Sequence, residues 1–120
     1  MQAVVAMAPV TDFTRSFPNA NIEAMRNVGF GEHNIVPASP ITHVTPDDPP
    51  FLLIHGERDE LVPYEQSQLM YDRLVQSNVP AQLVIVQRAG HSLTTSDGSA
   101  TPTFEEINQT ILNFLTQYLK

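Results

Sequence analysis

The chain has 120 residues, 42% of them apolar, which is enough for one compact domain with a modest core. Its formal charge of -7, with only six Lys and Arg, offers no basic stripe to neutralise phosphates, and this argues against nucleic acid and against a membrane surface as partners. With no cysteine there is neither a disulfide framework nor a thiolate zinc site.

The prolines and glycines are spread between apolar segments, and no linker or repeat stands out, so residues 1–120 read as one unit. Residues 1–9 are apolar but lack a positive flank and are far shorter than a membrane span. Within them, residues 3–7 read as a strand buried on both faces. After the turn Val10-Thr11-Asp12-Phe13, Asn21 precedes Ile22, Met25 and Val28 at helical spacing and Gly29 offers a stop, which predicts a short helix. Residues 37–50 hold five prolines and the pair Asp47-Asp48, so no long element is expected there, although residues 39–44 have room for one helical turn.

Phe51-Leu52-Leu53-Ile54-His55 predicts a second strand, ending at Gly56, where the chain can turn sharply. Beyond a loop of residues 57–62, Pro63 suits a first helical position, and Ser67, Met70, Tyr71, Leu74 and Val75 mark one helix face that fades near Asn78 and Pro80. Residues 82–87 predict a third strand of β-branched character, followed by Arg88-Ala89-Gly90-His91 and a loop rich in Ser and Thr. Thr103 with Glu106 forms a capping-box pattern ahead of Phe104, Ile107, Ile111, Phe114 and Tyr118, which predicts a terminal helix. Strands separated by helical crossovers imply an α/β class with a parallel sheet.

Asp12, Asp59 and His91 each follow one of the three predicted strands, at the sheet edge where α/β folds place reactive groups. On position alone the reading as turn residues or helix caps is the stronger one. His55 reads as a buried or half-buried histidine whose ring is satisfied by neighbours, and His33 and His43 fall in loops. Their spacing matches no zinc pattern, so no metal or other cofactor is expected.

The segment Leu53-Ile54-His55-Gly56-Glu57-Arg58-Asp59-Glu60-Leu61-Val62-Pro63 resembles the acid-bearing segment of α/β-hydrolases, a strand running into HGxxDxxVP and then a helix. Gly90-His91 after a valine-rich strand resembles their histidine loop. Ala38-Ser39-Pro40-Ile41 leading to Pro49-Pro50 looks like the approach to the acid strand in the serine esterase, lipase and acyl-peptidase-like branch, and Thr11-Asp12-Phe13 like the segment after the nucleophile helix. The resemblance implies the C-terminal part of an α/β-hydrolase: a partial fold of three parallel strands with flanking helices. It further implies Asp59 as catalytic acid and His91 as catalytic base, Asp12 being the second choice of acid, in the chain order acid then histidine of this superfamily.

The nucleophile of that superfamily stands in a G-x-S-x-G elbow, and none of Ser16, Ser39, Ser67, Ser77, Ser92, Ser96 and Ser99 has that setting. The expectation is therefore a part of a serine carboxylesterase that acts on a small-molecule ester, inactive by itself. Two alternatives stand beside it, a non-catalytic interaction module and a prolyl-oligopeptidase-like peptidase. The first strand, uncharged and without internal proline, would lie at a sheet edge, which predicts a homo-oligomer or a partner chain carrying the nucleophile half.

Overall fold

The computed structural model describes residues 3–9, 39–93 and 99–119. In chain order it contains strand β1 (Val4–Met7), a 3₁₀ turn (Pro40–His43), strand β2 (Phe51–Gly56), helix α1 (Glu65–Gln76), strand β3 (Ala81–Val86) and helix α2 (Phe104–Tyr118). The three strands form one parallel sheet in the order β1-β2-β3, with Val5 beside Leu52 and Leu53 beside Leu83. The helix predicted from Asn21 to Val28 lies outside the described residues.

The strands are largely apolar because both faces of the sheet are covered, the polar exceptions being His55 in β2 and Gln82 in β3. Leu52, Ile54 and Val86 point to one face and pack with Ile107 and Phe114 of α2, together with Ala89, Leu93 and Ala100. Leu53 points to the other face and packs with Met70 and Leu74 of α1, Val79 and Val44. The period of two along each strand thus sends alternate residues to two separate cores, one under each helix. Among the described residues no helix is long and apolar enough to cross a membrane.

Helix α2 starts as its sequence predicts. The Thr103 hydroxyl accepts from the Glu106 amide and the Glu106 carboxylate accepts from the Thr103 amide, closing the capping box. Phe104, however, is not on the buried face: it is 57% exposed, as the first helical residue beyond the reach of the sheet. Helix α1 begins at Glu65 rather than at Pro63, because Pro63 and Tyr64 form a tighter preceding turn in which the Pro63 carbonyl accepts from the Gln66 amide. Its buried face is Gln66, Ser67, Met70 and Leu74, and Val75 points outward. The helix closes at Asn78, whose φ of 63° lets the Val79 amide reach the Leu74 carbonyl at 2.9 Å and its own amide that of Val75 at 3.1 Å. Leu74 and Val79 then pack in the same core, so the chain enters β3 directly from this stop.

Candidate active site

Parallel strands deliver their C-terminal ends to one edge, and the loops that follow β2 and β3 meet there. Three contacts join them: the Glu57 amide donates to the Val86 carbonyl at 2.9 Å, the Arg58 amide to the Ala89 carbonyl at 2.9 Å, and the Arg88 amide to the Glu57 carboxylate at 3.2 Å. Arg88 adopts a φ of 66°, which turns the second loop back over the first. The far end of that second loop is held by Gln87 and Thr101, which exchange backbone hydrogen bonds of 2.8 and 3.3 Å.

Gly56 makes this approach possible, for a reason other than the sharp turn its sequence suggested. It remains a strand residue at the end of β2, and a Cβ built on it would fall on the carbonyl oxygens of Gly90 and Ala89. The backbone of the histidine loop occupies the space that any side chain at position 56 would need.

Asp59 lies in the first loop with its carboxylate wholly buried. One oxygen, Oδ1, accepts from the Leu61 amide at 2.9 Å and the Val62 amide at 2.8 Å, an Asx-type turn that fixes the carboxylate plane. The other, Oδ2, lies 2.8 Å from His91 Nδ1 across the joined loops. A carboxylate accepts, so Nδ1 carries the proton, and in the neutral ring Nε2 is left with its lone pair. The His91 side chain is 49% exposed, and among the described residues Nε2 has no hydrogen-bond partner. The arrangement is a half-exposed imidazole, oriented through Nδ1 by a buried carboxylate.

His55, at the end of β2, is buried and bonded at both ring nitrogens, as its sequence setting predicted. Nε2 lies 2.7 Å from the Val62 carbonyl, Nδ1 lies 2.7 Å from the Ser67 hydroxyl on α1, and Nε2 is also 3.4 Å from Asp59 Oδ2. Burial pushes the His55 pKa below 6.5, against smaller opposing pulls from the Val62 carbonyl and Asp59. No sequence signal pointed to Ser67 as the partner of this ring, since the pairing depends on how α1 packs across β2. Asp12 and His33 fall outside the described residues, and His43 ends the 3₁₀ turn. Among the described residues no group of three His, Cys, Asp or Glu side chains could hold a metal ion.

The chain is 43% identical over 56 residues to a probable carboxylic ester hydrolase, LipM, of Mycobacterium tuberculosis, a match covering 43% of this chain and 13% of that protein. It is 42% identical over 65 residues to esterase LipC of the same organism, covering 53% of this chain and 16% of that protein. Among solved structures, an acetyl ester-xyloside bifunctional hydrolase from Caldicellulosiruptor lactoaceticus superposes with a TM-score of 0.77 at 25% identity, over 96% of this chain and 42% of that one. The chain therefore spans less than half the length of each of these proteins, and its three parallel strands with flanking helices are a partial α/β-hydrolase fold. The profile of the prolyl oligopeptidase family matches residues 1–120, and the chain belongs to that family.

Proposed function

We propose that Asp59 and His91 are the acid and base of a serine hydrolase that cleaves carboxylic esters, with the nucleophilic serine supplied from outside these 120 residues. The observation that carries this reading is the 2.8 Å contact between His91 Nδ1 and Asp59 Oδ2, made by a buried carboxylate to a half-exposed ring. In the proposed reaction, His91 Nε2 takes the proton of the serine hydroxyl as its oxygen attacks the ester carbonyl carbon. The proton passes to the departing alcohol as the C–O bond breaks and the acyl-enzyme remains. His91 then deprotonates a water that attacks the acyl carbon and returns the proton to the serine oxygen. Asp59 holds the Nδ1–H tautomer throughout and stabilises the transient imidazolium.

The ester class is supported by the names of the two mycobacterial relatives, and the absence of a G-x-S-x-G sequence supports a nucleophile from elsewhere. The family description favours a second reading, in which the same pair serves peptide-bond cleavage and the proton goes to a leaving amine. Hydrolysis of p-nitrophenyl acetate tests the first reading. The chain alone should show no turnover, and turnover should appear when a nucleophile-bearing hydrolase half is joined to it. Turnover by the chain alone, abolished by His91→Ala and accompanied by fluorophosphonate labelling of one of its serines, would contradict it. A matched panel of esters and peptides separates the two substrate classes.

A further inference from the structure

We propose that His55 and Ser67 form a buried positioning pair that holds the Asp59 loop and, through it, the tautomer of His91. The inference rests on the reading of Asp59 and His91 as acid and base, and it adds residues that touch neither substrate nor nucleophile.

The proton on His55 is assigned by chemistry. A carbonyl oxygen only accepts, so the 2.7 Å contact with Val62 requires a proton on Nε2. Burial disfavours a second proton, so Nδ1 is an acceptor and the Ser67 hydroxyl donates to it at 2.7 Å. Val62 is consequently held at both its backbone groups: its amide donates to Asp59 Oδ1 and its carbonyl accepts from His55. His55 belongs to β2 and Ser67 to α1, so the loop carrying the acid is pinned from below by a ring fixed between a strand and a helix.

This placement also shapes the surroundings of Asp59 Oδ2. The His55 Nε2–H points to Val62 and lies 3.4 Å from Oδ2, too far to replace the 2.8 Å contact with His91. A neutral His55 leaves that oxygen to His91. A His55 protonated only on Nδ1 would instead turn a lone pair toward two acceptors, the Val62 carbonyl and Oδ2, and push the loop away. The Val62 carbonyl opposes that form, and the Ser67 hydroxyl completes the Nε2–H form by donating to Nδ1.

The test is long-range proton–nitrogen NMR of the intact chain labelled with ¹⁵N-histidine at neutral pH, a readout independent of hydrolytic activity. Failure of the ester reading and failure of this proposal are therefore distinguishable. The expected result is His55 neutral with its proton on Nε2, and His91 with its proton on Nδ1. In His55→Gln, whose amide can still donate toward Val62, His91 should keep that single form. In His55→Leu, with helix content retained by circular dichroism, His91 should lose it and become a mixture of tautomers. Should His55→Leu not fold, Ser67→Ala decides in its place: His55 keeps its Nε2 proton on the Val62 carbonyl, but the ring loses its anchor on α1 and His91 should become a mixture of tautomers. A wild-type His55 that is charged or protonated on Nδ1 overturns the proposal, and so does an unchanged His91 pattern in the folded Leu variant or, in its place, in Ser67→Ala.

Discussion

Gly56 and Gly90 are in backbone contact across the joined loops: a methyl group on Gly56 would land on the Gly90 carbonyl oxygen and 2.5 Å from that of Ala89. Both obstacles are main chain, and the Ala89 carbonyl also accepts from Arg58, so neither can yield without moving the loop that carries His91. Gly56→Ala should therefore destabilise the chain by at least about 3 kcal/mol, the upper range for overpacking a filled site. A shift of the urea midpoint checks this. Gly90, with nothing nearer than the Arg58 carbonyl at 4.0 Å from its own added Cβ, should accept alanine at much smaller cost.

The proposed roles rank three substitutions in a preparation that includes the nucleophile. His91→Ala should nearly abolish turnover, and Asp59→Asn should lower kcat on the order of 10⁴-fold, because the amide favours the wrong tautomer of the imidazole. Asp12→Asn should cost far less. Steady-state kinetics on one activated ester decides the order, and a reversal of Asp12 and Asp59 would move the acid to the end of the first strand.

The strands were legible because burial on both faces writes itself as continuous apolar runs, as in Phe51-Leu52-Leu53-Ile54. The capping box at Thr103 and Glu106 was legible because it is local. The start of α1 was displaced because a proline suits the turn before a helix as well as its first residue, and the turn at Pro63 and Tyr64 took that place. Asp59 and His91 were visible as residues at strand ends, but their 2.8 Å contact depends on hydrogen bonds between Glu57, Arg58 and the β3 end that no local pattern specifies. The same applies to Gly56, read as a turn former and found to be needed for space, and to Ser67, whose hydroxyl meets His55 only after α1 packs on the sheet.

The neutral, buried His55 gives stability a pH dependence of definite sign. Burial, its largest influence, places its folded pKa below 6.5, so between that lowered value and 6.5 the unfolded chain binds the extra proton. Its contribution is complete above about pH 6.5 and is lost as the pH falls from there toward the folded value. Across that window wild type should lose stability more steeply than His55→Gln, by at most about 1.4 kcal/mol per pH unit. Urea unfolding of both proteins at pH 7.5 and 5 measures the difference, and equal slopes would mean that folding leaves the His55 pKa unchanged.

Strand β1 lies at one end of the strand order and pairs with β2 alone among the described residues. Val4 and Ala8 donate their amides to Pro50 and Ile54 on the β2 side. In a parallel strand alternate residues direct their amide and carbonyl to opposite neighbours, so the backbone groups of Val5 and Met7 point to the open edge. Among the described residues that edge carries no charge, and Met7 is 55% exposed, so none of them opposes pairing with another strand. We propose that a second copy of the chain covers it, by strand pairing or by exchange of an element, and that the protein is a homodimer or larger assembly in solution. Met7→Lys is the cleaner probe, because Val5 packs against the α2 core and a lysine there would disturb the fold as well as the edge. Light scattering at micromolar concentration should show an assembly for wild type and a monomer for Met7→Lys, with equal helix content in both. A wild-type monomer that unfolds cooperatively, and whose mass and stability Met7→Lys and Val4→Lys leave unchanged, would show that the edge needs no partner.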